Sequence, residues 1–173
     1  MILEHHAKRP SIAADCFIAP SADLIGDVTL QARVGIWYGA VVRADVNSIT
    51  IARETNVQDN AVLHVTAEHN LTIGERCTIG HGAIVHACTI GDRCLIGMGA
   101  IILDGAVIGE DSLVAAGTVV PPNKHFPPRC LLIGSPAKVV RTLSDEDLTL
   151  MSENVDEYLR LAGDARSVVD TKS

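Results

Sequence analysis

The sequence predicts an all-β solenoid, a parallel β-helix of six-residue repeats closed by a C-terminal α-helix. Three observations carry that expectation. First, 47% of the 173 residues are hydrophobic but only 3% are aromatic, so the core must be built from aliphatic and small side chains. Second, an aliphatic residue recurs every six positions: Ile12, Ile18, Leu24, Leu30, Ile36 and Val42, then Ile51, Val57 and Leu63, then Ile73, Ile79 and Val85, then Ile90, Ile96, Ile102, Ile108, Val114 and Val120. Third, the position four residues after each is small or β-branched, as at Ala22, Val34, Ala40, Ala61, Cys77, Ala83, Cys94 and Ala100. One inward aliphatic and one small corner per unit describe a short strand plus a turn, and three such units make one coil of a triangular prism.

In chain order, "MILEHHAKRP" is a lead-in, and the first six units run unbroken from Ile12. Short insertions separate Val42 from Ile51 and Leu63 from Ile73, and the register slips by one between Val85 and Ile90. The eighteen units imply about six coils. Residues 1–123 are therefore expected to form the β-helix domain with its lead-in. Residues 124–173 are expected to hold a Pro-rich crossing and a helix packed on the prism. Counting in the same way, Val46, Ala67 and Thr89 fall in the small corner slot after the insertions. In the tail, Ser144 followed by Asp147 reads as a helix start, and Leu148, Met151, Val155, Tyr158, Leu159 and Ala162 share one apolar stripe. Gly163 reads as the helix end, with fraying from about residue 164.

Composition excludes several functions. A net charge of -7 without a basic run argues against nucleic acid. No apolar run is long enough for a membrane span, and the start lacks the layout of a signal peptide, so a cytoplasmic protein is expected. Five cysteines, an odd number without a CxxC pair, imply reduced thiols. Cys16, Cys77 and Cys94 fall in the small inward slot; Cys88 is counted just outside it, and Cys130 lies in the tail.

The histidines gain meaning from their slots. His64 follows Leu63 and His86 follows Val85, so both project from one face, one coil apart. His81 belongs to the preceding unit of His86's coil and is placed on a different face. One coil below His64 stands Arg43, and one coil below His81 stands Asp59. Two imidazoles stacked in this way can share one Zn²⁺, while His81 reaches the ion of a neighbouring prism packed around a threefold axis. Three neutral His ligands with an open fourth position form a catalytic zinc pattern. His5, His6, His69 and His125 read as surface residues.

"WYGAVVRADVNSITIARETNVQDNAVLH" and "IGERCTIGHGAIVHACTIGDRCLIGMGA" resemble the gamma-class carbonic anhydrases and the carbonic-anhydrase-like hexapeptide-repeat proteins, over roughly residues 10 to 142. The resemblance implies a left-handed coil and a homotrimer that holds Zn²⁺, or Fe²⁺ or another divalent metal, between subunits. His64 and His86 come from one subunit and His81 from the next. It further implies an Arg43–Asp59 salt bridge at the trimer interface, Asp45 beside it, Gln58 hydrogen-bonded to a metal-bound hydroxide, and Asn56 lining the same pocket. The implied activity is reversible hydration of CO₂ to bicarbonate. The acidic proton relay of the archetypal members is missing, since Val46 and Ala67 cannot ionise and the loop after the first histidine is only "TAEHN". Glu68 and His69 read as solvating that turn. Two alternatives stand beside this expectation: a hexapeptide acyltransferase or thioesterase acting on acyl-CoA, and a non-catalytic metal-binding assembly protein.

Overall fold

Each inward aliphatic residue stacks on its counterpart one coil below, in the register that the six-residue count predicts. In the computed structural model, which describes residues 1–170, Ile12 pairs with Leu30, Ile18 with Ile36 and Leu24 with Val42. Higher up, Ile51 pairs with Ile73, Val57 with Ile79 and Leu63 with Val85. These pairings are parallel, and three columns of short strands enclose an aliphatic core in which Leu24, Ile36, Leu63, Ile79 and Ile96 are fully buried. The result is a parallel β-helix, consistent with the left-handed coil of hexapeptide-repeat proteins.

The insertions are absorbed at one corner. The eleven-residue strand Val41–Ile51 pairs through its first residues with Val62–His64 and through its last with Leu71–Ile73. One strand thus bends from the third face of the prism to the first, and the extra residues project beside Arg43 and His64. This geometry corrects the slot assignment after each insertion. Val46, Ala67 and Thr89 are exposed, and the inward positions are Ile49, Leu71 and Cys88, each two residues before the next aliphatic. The inserted residues lie between corner and loop, so a count carried forward across them lands outside the core. Cys88 is accordingly a core residue; burial, with the Asp104 charge adding to it, pushes its thiol up to about 12. Cys130 fills the equivalent slot two residues before Leu132 and lies 3.6 Å from Ser112 Oγ.

The coil also runs further than the repeat column. His125–Phe126 adds to Val107–Ile108, and Cys130–Gly134 adds to Leu113–Val114, so the ladder crosses residue 123 without a break. The prism has about seven turns rather than six. Phe126 replaces the aliphatic at its rung and prolines fill the corners, which hides the last repeats from a search for Ile, Leu and Val. Ala137–Thr142 then turns back antiparallel on Cys130–Gly134.

The C-terminal helix spans Asp145–Asp170. Ser144 caps it: its Oγ accepts from Asp147 N at 3.2 Å, and Asp147 Oδ2 accepts from Ser144 N at 2.7 Å. Gly163 does not end the helix, and residues 164–170 continue it rather than fray; the rest of the expected fraying lies outside the described residues. The Arg160–Asp164 pair brackets the glycine, and Arg166 reaches the Asp15 carbonyl at 2.6 Å. These contacts and the buried Ala162 hold the helix through a residue that costs only about 1 kcal/mol relative to Ala. The apolar stripe packs on the second face as its spacing implies, with Met151, Val155 and Ala162 buried. Four of the five aromatic side chains meet at this contact: Trp37 lies 4.9 Å from Phe17, 6.4 Å from Tyr38 and 5.3 Å from Tyr158 between ring centroids. Among the described residues, no helix is long and apolar enough to cross a membrane.

Candidate metal centre

His64 and His86 are register partners on adjacent strands of the third face, and Arg43 is the partner of His64 on the coil below. The strand ladder therefore brings the two imidazoles together. His64 Nδ1 and His86 Nε2 stand 2.9 Å apart. The outer nitrogens are held by carboxylates: His64 Nε2 donates to Asp45 Oδ1 at 2.9 Å, and His86 Nδ1 donates to Asp104. Asp45 is also paired with Arg43 through its other oxygen. Burial alone would raise the Asp45 carboxyl, but hydrogen bonds from His64 and from its own amide, with the Arg43 charge, hold it below the usual carboxylate range.

These contacts fix the tautomers. A carboxylate only accepts, so each uncharged ring carries its proton on the outer nitrogen and turns a bare lone pair inward. Two lone pairs facing one another at 2.9 Å repel unless a cation lies between them, either a proton carried by one ring as N–H···N or a metal ion. Two nitrogens bound tetrahedrally to one Zn²⁺ at 2.0–2.1 Å stand about 3.4 Å apart, so a small opening of the pair admits the ion. The donor set fits a divalent metal on that ground.

His81 occupies the turn that leads into the strand Ile84–His86, so it lies at the opposite edge of the third face from His86. A three-residue strand spans about 10 Å, which keeps His81 from joining the pair within one chain. Among the described residues, no group of three or more His, Cys, Asp or Glu side chains of a single chain is arranged to hold a metal. His81 shares the carboxylate support of the other two, but its second nitrogen is engaged by a phenol that a metal would have to displace. Its Nδ1 pairs with Asp59 Oδ2 at 2.9 Å, and its Nε2 faces the Tyr158 hydroxyl at 3.2 Å. Burial, aided by the Asp59 charge, raises the Tyr158 phenol, so it donates to that nitrogen at neutral pH.

Gln58 and Asn56 sit behind His81. Gln58 Oε1 accepts from the His81 amide at 3.2 Å, and Gln58 Nε2 donates to Asn56 Oδ1 at 3.2 Å. Asn56 in turn donates to Thr78 Oγ1 at 2.9 Å, and Thr78 donates to Asn154 of the helix. Both side chains are buried. The expected site residues thus form two groups: Arg43, Asp45, His64 and His86 at one edge of the third face, and Asn56, Gln58, Asp59 and His81 at the other. Arg43 and Asp59 do not meet within one chain; each is engaged in its own group.

Two participants escaped the sequence reading. Asp104 lies one residue past the column that runs up from His86, so a count by coils arrives at Leu103; a carboxylate flanking a histidine column was the available signal. Tyr158 comes from a helix 77 residues away from His81, and its place in the apolar stripe disguises its hydroxyl.

Comparisons with known proteins agree with this architecture. Residues 87–122 match the family described as bacterial transferase hexapeptide (six repeats). Gamma carbonic anhydrase 2, mitochondrial, of Arabidopsis thaliana is 42% identical over 90% of this chain, which spans only 58% of that protein's length. A carbonic anhydrase of Geobacillus kaustophilus is 42% identical over 92% of this chain and 87% of its own. A solved Bacillus cereus structure, a candidate acetyltransferase, superposes with a TM-score of 0.95 at 39% identity and covers 96% of this chain and 97% of its own.

Proposed function

The chain belongs to the hexapeptide-repeat family that includes the gamma-class carbonic anhydrases, and from that premise we propose that it is a metal-dependent carbonic anhydrase-like enzyme hydrating CO₂ to bicarbonate reversibly. One observation carries the reading: each of the three candidate ligands donates one ring nitrogen to a carboxylate, Asp45 for His64, Asp59 for His81 and Asp104 for His86. Carboxylate–histidine pairs of this kind are the usual outer support of a metal site. His64 and His86 of one chain, with His81 of a neighbour, would hold Zn²⁺ or Fe²⁺. Such an ion supplies a Lewis acid that brings the ionisation of water close to neutral pH.

The chain's own residues then have defined tasks. Asp45 and Asp104 hold the outer ring nitrogens and so aim the inward nitrogens of His64 and His86 at the ion. Gln58, braced by Asn56, orients the attacking water. The third face between the two groups exposes Val62 and Ile84, each 40% accessible, an apolar strip suited to a second copy. Trimerisation around it would set Arg43 of one chain against Asp59 of the next. CO₂ is small and uncharged, so the site needs no cluster of cations; Arg43, the cation at this edge, is already paired with Asp45.

A second reading, acyl transfer from acyl-CoA, draws on the likeness to the Bacillus cereus candidate acetyltransferase. The experiment that separates the two uses one anaerobically purified, metal-loaded preparation, assayed for CO₂ hydration and for release of free CoA thiol. Hydration that disappears in His64→Ala supports the proposal. Thiol release that survives this substitution, without hydration, supports the second reading. Bound metal with neither activity supports an assembly role.

A further inference from the structure

We propose that His5 and His6 form the proton exit of the site, an inference that rests on the CO₂-hydration reading above. Hydration of CO₂ by water yields bicarbonate and one proton, and that proton must reach solvent before the next turnover. Val46, beside Asp45, cannot ionise. The fold sets other groups opposite it. A cleft of about 300 Å³ is bounded on one side by Ala44, Asp45, Val46, Asn47 and Ser48 and on the other by His5, His6, Lys8 and Asp27. Its wall includes Asp45, whose carboxylate also meets Arg43 and His64 Nε2, so the cleft adjoins the candidate site. At about 30 Å³ per molecule it has room for a chain of waters.

The histidines are presented deliberately. His5 and Lys8 exchange two backbone hydrogen bonds of 2.9 Å, closing a two-residue turn in which His6 and Ala7 adopt φ of 47° and 60°. Such a turn favours Asn-Gly, and left-handed backbone at non-glycine residues costs of order 1 kcal/mol or more each. Lys8 Nζ, 3.2 Å from Asp27, pins the turn to the prism. The two rings pack edge to face, 4.2 Å between centroids. The turn carries two imidazoles at a cleft that also contains Asp45. The charged groups facing them there are Lys8, Asp27 and Asp45.

Imidazole ordinarily titrates between pH 5 and 8, which suits it to shuttle protons near neutrality. The step balances: a neutral imidazole accepts the proton released in hydration and becomes imidazolium, then gives it to a buffer base in solvent and returns to neutral.

Isotope exchange between ¹⁸O-labelled CO₂ and water separates the two halves of turnover, because interconversion of CO₂ and bicarbonate and the proton-dependent release of labelled water are read as separate rates. In metal-loaded protein, the double variant His5→Ala/His6→Ala should lose at least about tenfold in labelled-water release, a loss confined to that rate and recovered with free imidazole. His5→Gln/His6→Gln should lose as much, since an amide hydrogen-bonds but does not shuttle. Unchanged water release with intact interconversion overturns the relay alone, as does a glutamine variant that keeps the wild-type rate. Wild-type protein without interconversion overturns the parent reading and the relay with it. A readout independent of activity comes from the metal-free chain, where Asp45→Asn should move the ring ¹⁵N and ¹H signals of His5 and His6 across the shared cleft; unmoved signals count against the proposal.

Discussion

At the scale of single residues, the candidate site is a matter of tautomers. Nothing in the strand ladder obliges His86 to turn Nε2 inward; Asp104 does so by accepting from Nδ1. Asp104→Ala is therefore expected to weaken Zn²⁺ binding by about 10- to 100-fold, read by competition with a chromophoric chelator, while Asp104→Asn, which keeps an acceptor, should lose less. Equal affinity in all three proteins would remove Asp104 from the site. The thiols make a contrasting prediction. Burial holds Cys88 at about 12, and thiolate is the reactive form, so alkylation at pH 8 should leave Cys88 unlabelled in native protein and modify it in denaturant. The slots of His64 and His86 were legible because strand register turns a count of residues into a contact. Asp104 and Tyr158 were not, because a side-chain hydrogen bond across registers, or from a distant helix, leaves no periodic trace.

Among the secondary elements, the helix illustrates how local signals yield to packing. Gly163 resembles a stop signal, yet the helix continues because Ala162 packs on the prism and Arg166 is anchored to Asp15. A Cβ added at Gly163 meets nothing within 4 Å, so Gly163→Ala should stabilise the protein by roughly 1 kcal/mol, measured by urea unfolding. The cap gives the opposite sign: Ser144→Ala should cost about 1 kcal/mol. Its partner adds a pH signature. Hydrogen bonding from Arg141, then from the Ser144 amide, holds the Asp147 carboxyl well below the usual range. A carboxylate depressed in the folded state contributes stability above its unfolded value, near 3.9, and that contribution is lost as pH falls through the folded value. Asp147→Asn should thus melt below wild type at pH 7, with the gap narrowing as the pH drops below about 4. A gap that does not change with pH would mean the carboxylate acts by shape alone.

For the molecule as a whole, the solenoid was readable because its rungs repeat, and the eighteen aliphatic positions pair as counted. Its upper end was hidden where Phe126 and the prolines interrupt the aliphatic column. The corner loops were misassigned where insertions shift the inward slot, as at Val46 and Ile49. The same architecture divides the site, because the edges of one triangular face cannot meet within one chain. In the proposed trimer a heterologous contact between copies would close the gap, and a threefold axis would repeat it three times.

The most direct test of this divided centre is metal content under complementation. His64→Ala and His81→Ala chains, purified alone, should each lack tightly bound metal. Co-expressed in equal amounts, they should regain about one metal site in four, because a complete site needs His64 and His86 from one chain type and His81 from the other, each present with even odds at its place in the ring. That recovery, measured by elemental analysis of the mixed trimer, is the result expected of a site shared between copies. A mixture that stays metal-free while wild type is loaded, or a monomeric wild type that retains its metal, would contradict it.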